Sequence, residues 1–303
     1  MNNSYATIKR WRVQIFAITW LAYAAFYFTR KAFSVAKLGI GEDPNFHLDK
    51  MAMANLDAIY LAAYAVGQFT WGILADRFGP RVVVLGGLII SALAALVMGT
   101  YATLPIFATC MLIQGLAQST GWSGLCKNIG SFFPAQQRGR VLGLWSSCYA
   151  FGGLVASPFA GWWAYTLIGS WHAAFISSAA VVALVAVLFF IFQRNTPQDV
   201  GLPAVEPEPP MSADEIAAEK RISVWAPLRE IMRNRTVLTL GLAYFMLKPA
   251  RYAILLWGPV IGFAQMPQVG KVGAAIIRTA FELAGWLWPI MIGYSLTLYM
   301  SIW

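Results

Sequence analysis

Residues 72–81 read GILADRFGPR, an apolar run that ends in an Asp-Arg pair, a glycine, a proline and a second arginine. The residues before this turn, 52–75, and those after it, 82–102, are strongly apolar. A helix rises about 1.5 Å per residue, so about 20 residues cross the ~30 Å hydrocarbon core of a bilayer. The stretch therefore predicts two membrane-spanning helices joined by a short charged turn.

Apolar runs of the same length recur along the whole chain. Of its 303 residues, 59% are hydrophobic and only 12% are charged, which leaves too little polar surface to cover a soluble protein. Strands of a membrane barrel would instead show short segments of alternating hydrophobicity. We therefore expect an all-α membrane protein. The eight predicted spans cover residues 13–37, 52–75, 82–102, 104–126, 141–165, 172–192, 236–263 and 272–303.

Positive charge falls on alternate loops. Lysines and arginines precede the first span and follow the second, fourth and sixth, whereas the loops at residues 101–105 and 167–171 carry no charge. Since Lys and Arg are retained on the cytoplasmic side of a membrane, the amino terminus and the long middle loop are predicted to be cytoplasmic. The net charge of +9 thus indicates orientation in a lipid bilayer, and no nucleic-acid partner is expected.

One long polar stretch, residues 193–235, interrupts the apolar runs and is rich in proline. This composition is typical of a linker between domains. We therefore predict three parts. They are a six-helix amino-terminal bundle over residues 1–192, a cytoplasmic linker over 193–235, and two helices of an incomplete second bundle over 236–303.

The two sides of the linker share a short repeat. LAY at residues 21–23, followed by Arg30, recurs with the same spacing as LAY at residues 242–244, followed by Arg251. Carriers built from repeats bind their substrate at the interface between the repeats. The repeat therefore indicates a binding site that takes one arginine from each bundle.

Arg251 lies well inside an apolar run, where a cation that faces lipid costs at least ~3 kcal/mol at mid-bilayer. It must face a wet cavity, an anion or a carboxylate. Lys248 precedes it by about one turn and shares its helix face. The alternative is a structural ion pair with Glu282 or Asp57.

Arg30 allows two interpretations, because the apolar run before it is only about 16 residues long and could end there at the outer interface. Against this, Tyr23, Tyr27 and Arg30 are spaced by four and three residues and so share one helix face. An arginine presented with tyrosine hydroxyls suits a phosphoryl group, whose oxygens match the guanidinium fork.

Several motifs resemble a known family of membrane proteins. GILADRFGPR at residues 72–81 is similar to the signature turn of the major facilitator superfamily, although an ordinary basic turn is the alternative. YFTRK, GLAQSTGW, NTPQDVGLP and ARY resemble the organophosphate:inorganic phosphate antiporters of that superfamily. These four motifs lie at residues 27–31, 115–122, 195–203 and 250–252, within a resemblance that covers residues 11 to about 293. The resemblance implies a major facilitator-type helical bundle in a bacterial inner membrane.

The resemblance also implies which residues carry the function. It assigns the phosphate to Arg30 and Arg251, and it assigns the turn after the second span to conformational control. Gln68 stands where the family often has a lysine. The candidate substrate-binding residues are Arg30, Arg251, Tyr23, Tyr27, Tyr64, Trp122, Lys248 and Tyr149. The candidate conformational residues are Asp76, Arg77, Arg81, Arg140 and Glu282.

These features predict a carrier, not an enzyme, that exchanges a small organophosphate for inorganic phosphate by alternating access. A sugar phosphate or glycerol 3-phosphate is the expected substrate. No catalytic or metal-ligand spacing occurs in the sequence, so no cofactor and no metal are expected. A membrane sensor of sugar phosphate with the same fold is an alternative.

The end of the chain departs from the family. Relatives are expected to continue beyond Gly293 into another charged turn and four more helices. We therefore expect this chain to be an incomplete form that does not transport by itself. A transport-inactive truncation product is one reading, and assembly with another chain that completes the second bundle is the other.

Overall fold

The structure is a computed structural model that describes residues 2–205, 232–277 and 279. Contacts divide the chain into a first compact unit, residues 1–205 with 258–303, and a second unit, residues 206–257. The domain boundaries predicted at residues 192 and 235 stay a prediction.

The first unit contains the helices of the amino-terminal bundle. Two of its predicted spans are interrupted, one at Ser119 and one at Ser146. A π-helical turn, Trp163–Leu167, continues the second of these interrupted spans. The helices are α1 (Asn2–Ile40), α2 (Lys50–Phe78), α3 (Pro80–Thr100), α4 (Leu104–Gln118), α5 (Thr120–Phe132), α6 (Ala135–Trp145), α7 (Ser147–Trp162) and α8 (His172–Phe192).

Local sequence explains where α2 and α3 begin and end. The Asp49 carboxylate accepts the Ala52 N–H at 2.7 Å and so caps the start of α2. Gly79 ends α2 with φ of 81°, a conformation that favours glycine, and Pro80 occupies the first turn of α3. A Cβ on Gly79 would also lie 2.9 Å from Nδ2 of Asn195. The turn at 72–81 is therefore shaped by its glycine and proline.

Glycines allow the helices around the centre of the bundle to approach closely. A Cβ on Gly115 of α4 would lie 2.4 Å from the backbone oxygen of Tyr60 in α2. A Cβ on Gly152 of α7 would lie 2.7 Å from the backbone oxygen of Ala24 in α1. Any larger side chain would push these pairs apart, so Gly115 brings α4 close to α2 and Gly152 brings α7 close to α1.

By length and composition, α3 and α8 pass as membrane spans among the described residues. These two helices pack against each other and present large apolar side chains outward, as lipid-facing helices do. The outward side chains include Ile89, Leu93, Leu96, Leu184, Val187 and Phe190. The helices α4 to α7 are shorter than 18 residues, and the long helices α1 and α2 are less apolar than α3 and α8. The all-α fold class is confirmed.

Beyond the linker, α9 spans Arg235–Gln265 and α10 spans Gly270–Ile277. The Asn234 side chain accepts the Thr236 N–H at 3.0 Å at the start of α9. Within the first unit α10 packs on α7, where a Cβ on Gly161 would lie 3.1 Å from the Ala275 side chain. Lys271 Nζ lies 2.5 Å from an oxygen of Glu42, which ties α10 to the end of α1.

Candidate anion-binding site

Arg30 lies inside the bundle and does not end its helix. The helix α1 continues to Ile40, and Arg30 is only 6% exposed. Arg30 is therefore a buried residue within α1, and the helix does not end there. A buried cation needs compensating partners, because the interior stabilises charge poorly.

The first partner of Arg30 is Gln118 at the end of α4. Arg30 Nε donates to Oε1 of Gln118 at 3.0 Å. The Tyr60 hydroxyl of α2 donates to the same oxygen at 2.8 Å. One amide oxygen thus joins residues of three helices, α1, α2 and α4.

The amide nitrogen of Gln118 fixes the orientation of that oxygen. Its two N–H groups are shared among three acceptors, namely Oγ1 of Thr29 at 3.1 Å, Oγ of Ser91 at 3.2 Å and Oε1 of Gln114 at 3.2 Å. Thr29 and Ser91 are themselves 2.9 Å apart, oxygen to oxygen. Gln118 is 0% exposed. Buried and bonded at both ends, this amide presents its oxygen to Arg30 in one orientation.

Two tyrosine rings flank the guanidinium of Arg30. Its Cζ lies 4.7 Å from the ring centroid of Tyr27 and 5.0 Å from that of Tyr64. Cations are attracted to aromatic faces at such distances. The rings therefore stabilise the charge and restrict where the guanidinium can point.

One nitrogen of Arg30 is left without a partner. Nη2 is buried and makes no hydrogen bond with any described residue. Leaving a buried donor unsatisfied costs about 1–3 kcal/mol, and more for a charged group. An acceptor that reaches Nη2, above all an anionic oxygen, removes this cost.

An aromatic cluster adjoins the arginine. The Tyr23 ring lies 5.5 Å from the rings of both Trp122 and Trp145, centroid to centroid, and 6.1 Å from that of Tyr27. Trp145 is buried, and its Nε1 donates to Thr19 at 3.1 Å. Trp122 is 39% exposed, so its ring is accessible. The rings are tilted to one another by 50° to 67°, so the accessible surface of the cluster is the single ring of Trp122.

Five of the predicted binding residues are therefore brought together by contacts in the first unit. They are Tyr23, Tyr27, Arg30, Tyr64 and Trp122. The structure adds three residues that sequence analysis did not single out, namely Tyr60, Gln118 and Trp145. Gln118 lies within the GLAQSTGW motif, one turn before Trp122. This position in the motif could have identified it as a site residue.

The remaining predicted binding residues lie elsewhere in the chain. Tyr149 is partly buried near the start of α7, four residues after Trp145. Lys248 and Arg251 lie on α9 in the second unit, where Lys248 Nζ is 5.6 Å from the Tyr244 ring and 5.8 Å from the Tyr252 ring. Their part in substrate binding stays a prediction.

The alternative partners suggested for Arg251 are Asp57 and Glu282. Asp57 of α2 is buried in an ion pair with Lys37 of α1. Lys37 Nζ also lies 4.9 Å from the Phe33 ring. Glu282 lies outside the described residues.

The predicted conformational residues occupy the ends of helices. Arg81 donates its backbone N–H to Oδ1 of Asn195 at 2.7 Å, and its Nη2 donates to the backbone oxygen of Phe190 at 2.6 Å. Arg81 thus ties the start of α3 to the end of α8. Arg77 and Arg140 are exposed, and the Asp76 side chain is not described. The conformational roles stay predictions.

Asn195 also explains the NTPQDVGLP motif. Asn128 Nδ2 donates to the backbone oxygens of Arg194 and Asn195, both at 2.7 Å. Asp199 accepts from the backbone N–H groups of Asn195 and Thr196 at 2.8 and 3.2 Å. The motif therefore anchors the segment after α8 to α3 and α5.

Comparison with known proteins identifies a family and related carriers. A family model described as the Major Facilitator Superfamily matches residues 19–301. The chain is 28% identical to a probable hexose phosphate transport protein of Chlamydia muridarum, over 94% of this chain and 64% of that protein. It is 25% identical to a phosphoglycerate transporter protein of Salmonella typhimurium, over 93% of this chain and 64% of that protein. The chain thus spans less than two thirds of the length of either relative.

Solved structures show the same fold. A bacterial homologue of the human lysosomal transporter Spinster, in an inward-facing and unoccupied conformation, matches with a TM-score of 0.71 at 17% identity. The match covers 90% of this chain and 60% of that one. A D-xylose-proton symporter matches with a TM-score of 0.59 at 13% identity, over 96% of this chain and 67% of that one.

Proposed function

This chain belongs to the Major Facilitator Superfamily and is a multi-pass membrane protein of a transporter family, and on that premise we propose that it is a carrier, or part of one, for a small organophosphate. A sugar phosphate or glycerol 3-phosphate is the proposed substrate, exchanged for inorganic phosphate by alternating access. Relatives named for hexose phosphate and phosphoglycerate transport support the phosphate chemistry. The proposed location is a bacterial inner membrane with the amino terminus in the cytoplasm.

The observation that carries this proposal is the unpartnered Nη2 of buried Arg30. A phosphoryl group is a dianion with several acceptor oxygens, and hydrogen bonds from a guanidinium to such oxygens are short and strong. Gln118 already occupies Nε of Arg30, so the far end of the guanidinium is the part offered to a ligand. This arrangement supports phosphate binding better than a purely structural role.

The organic part of the substrate would lie against the neighbouring aromatic cluster. Trp122 is accessible, and its ring lies 5.5 Å from that of Tyr23 and 5.6 Å from that of Trp145, centroid to centroid. Aromatic faces suit the apolar face of a sugar ring, and tyrosine hydroxyls can bond its oxygens. We also propose that Arg251 and Lys248 bind the substrate, because the sequence around Arg251 repeats that around Arg30.

Exchange, rather than one-way transport, follows from the charge at the site. An empty site must close over an arginine whose buried N–H group has no acceptor, which is costly. A bound phosphate or organophosphate removes that cost and so favours closure. Net movement without a counter-substrate should therefore be slow.

Binding to the purified chain in lipid nanodiscs tests this proposal. Labelled inorganic phosphate should bind saturably, and glucose 6-phosphate or glycerol 3-phosphate should displace it. Glucose should not displace phosphate, because it lacks the phosphoryl group. Absence of saturable phosphate binding, or equal displacement by glucose, would overturn the proposed substrate class.

A further inference from the structure

An ion pair joins α10 to the bundle at the end of α1. Lys271, in the first turn of α10, has its Nζ 2.5 Å from an oxygen of Glu42. Glu42 lies just after the end of α1, and its backbone N–H donates to the backbone oxygen of Gly39 at 3.1 Å. The side chains of Lys271 and Glu42 are 25% and 59% exposed, so the ion pair is open to water.

Tyr165, in the π-helical turn Trp163–Leu167, contacts both α1 and α10. The Lys271 Nζ lies 5.3 Å from the centroid of the Tyr165 ring, a distance at which cations are attracted to aromatic rings. The Tyr165 hydroxyl donates to the backbone oxygen of Val35 at 2.8 Å and accepts the backbone N–H of Gly39 at 3.0 Å. These two groups are the pair that a helical hydrogen bond joins. Tyr165 thus holds α1 with its hydroxyl and α10 with its ring.

Below the ion pair, α10 packs against the bundle through small side chains. Ala275 lies one turn after Lys271 and is completely buried. A Cβ on Gly161 of α7 would lie 3.1 Å from the Ala275 side chain. The buried cluster at this contact consists of Val35, Ala160, Ala164, Ala174 and Ala275. Small side chains let helices approach closely but bury little apolar surface, so this packing is tight in geometry and modest in free energy.

The contacts of α10 and the accessible part of the anion site lie on opposite sides of Arg30 along α1. Val35 and Gly39 follow Arg30 by about 8 and 14 Å along the helix axis. Tyr23, whose ring lies 5.5 Å from the accessible ring of Trp122, precedes Arg30 by about 10 Å. The accessible ring therefore lies toward the start of α1, and α10 is docked toward its end.

We propose that Lys271, Glu42 and Tyr165 form a latch that holds α10 on the bundle, and that opening of this latch exposes the Arg30 site to the side opposite the amino terminus. This role rests on the proposed carrier function, because a carrier must expose its site to each side in turn. An ion pair that is open to water is a weak interaction, and the alanine packing below it adds little. The latch therefore opens reversibly without unfolding either helix. The bonds of the Tyr165 hydroxyl link the latch to the helix that carries Arg30.

The variant Ala275→Cys reports how often the latch opens, through its rate of reaction with a thiol reagent. This position is buried while α10 is docked and becomes reactive when α10 separates. The measurement uses the full chain in lipid nanodiscs, with the native cysteines replaced by alanine, namely Cys110, Cys126 and Cys148. Gly161→Cys, on the α7 side of the same contact, is the second reporter if Ala275→Cys does not fold.

Three single changes on this background each remove one part of the latch. Glu42→Gln and Lys271→Gln remove the ion pair, whereas Tyr165→Phe removes the hydroxyl and keeps the ring. The exchanged pair, Glu42→Lys with Lys271→Glu, restores opposite charges in reversed positions. Lys50→Gln is the matched control, because it removes one positive charge from an exposed position at the start of α2, the next helix after Glu42.

Each single change should raise the labelling rate by about twofold to fivefold, the range expected for an exposed ion pair or one hydrogen bond. The exchanged pair should react at nearly the rate of the unaltered latch, and Lys50→Gln should have no effect. Labelled inorganic phosphate should dissociate faster from the single variants by a similar factor, because the open latch gives it a second exit.

Unchanged labelling in the single variants, an equal rise in Lys50→Gln, no recovery in the exchanged pair, or unchanged phosphate release would each overturn the latch. A chain that binds no phosphate would instead overturn the proposed substrate class. The labelling rates do not depend on phosphate, so they decide between latched and unlatched contacts in either case.

Discussion

Arg30 and Gln118, which are 88 residues apart in the sequence, share a hydrogen bond of 3.0 Å from Nε to Oε1 inside the bundle. This bond uses one edge of the guanidinium and leaves Nη2 buried with no hydrogen-bond partner among the described residues. It also makes the direction of the arginine depend on a neutral side chain from another helix. Gln118 is therefore a positioning residue in our account of phosphate binding.

Gln118→Leu should weaken phosphate binding by about tenfold. The change leaves Nε of Arg30 and the Tyr60 hydroxyl without their shared acceptor, so the guanidinium is free to turn away from the ligand. Phosphate affinity measured by equilibrium binding checks this. The matched control is Gln114→Leu, since Gln114 bonds to Gln118 but is not bonded to the arginine.

A second variant separates positioning from simple loss of packing. Gln118→Glu keeps an acceptor for Arg30 but adds a negative charge that competes with phosphate. Phosphate affinity should fall further than in Gln118→Leu, while the folded protein retains its thermal stability better. If both Gln118 variants bind phosphate as the unaltered chain does, the positioning role is wrong.

The buried ion pair of Lys37 and Asp57 should matter for stability. Asp57→Asn leaves a buried lysine without its counter-charge, which typically costs about 3–5 kcal/mol. The unfolding temperature in detergent should fall accordingly. The double variant Lys37→Met with Asp57→Leu should recover most of the loss, because apolar residues of similar size replace the pair. A double variant no more stable than Asp57→Asn would contradict this account.

The loop between α1 and α2 should show a pH dependence that arises from Asp43. Trp171 donates its Nε1–H to Oδ2 of Asp43 at 2.7 Å. This hydrogen bond holds the pKa of the Asp43 carboxyl below its ordinary value, and the backbone N–H groups of Asn45 and Phe46 lower the pKa further. Because the pKa is lower in the folded state, the carboxylate stabilises the fold above its unfolded pKa of about 3.9. That contribution is lost as the pH falls through the folded value.

Asp43→Asn tests this dependence. The unfolding temperature of the unaltered chain should exceed that of Asp43→Asn at pH 6, and the difference should shrink below about pH 4 as Asp43 is protonated. The effect should be small, because the carboxyl is near the surface. A constant difference between pH 6 and pH 3 would show that charge on Asp43 is not the cause.

The helical fold could be predicted because lipid-facing helices reveal themselves in local sequence. The runs predicted at residues 82–102 and 172–192 agree within two residues with α3 and α8. The interruptions at Ser119 and Ser146 were not predicted. Both serines bond a carbonyl three residues earlier, Leu116 at 2.7 Å and Gly143 at 2.8 Å, a local choice that hydropathy does not record.

The candidate site could be predicted only where it lies on one helix. Spacing alone placed Tyr23, Tyr27 and Arg30 on one face of α1. Tyr60 and Gln118 come from α2 and α4, and these two helices come close to each other at Gly115. The spacing of residues within one helix does not indicate which face of another helix will pack against them.

Phosphate binding by Arg30 variants in nanodiscs is the most direct test of the central claim, which is that this guanidinium holds the phosphoryl group. Arg30→Lys keeps the charge but loses the planar fork, so we expect phosphate affinity to fall by about 10–100-fold. Arg30→Gln should abolish measurable binding, whereas the exposed control Arg10→Lys should bind normally. Phosphate affinity unchanged in Arg30→Lys and retained in Arg30→Gln would contradict the account.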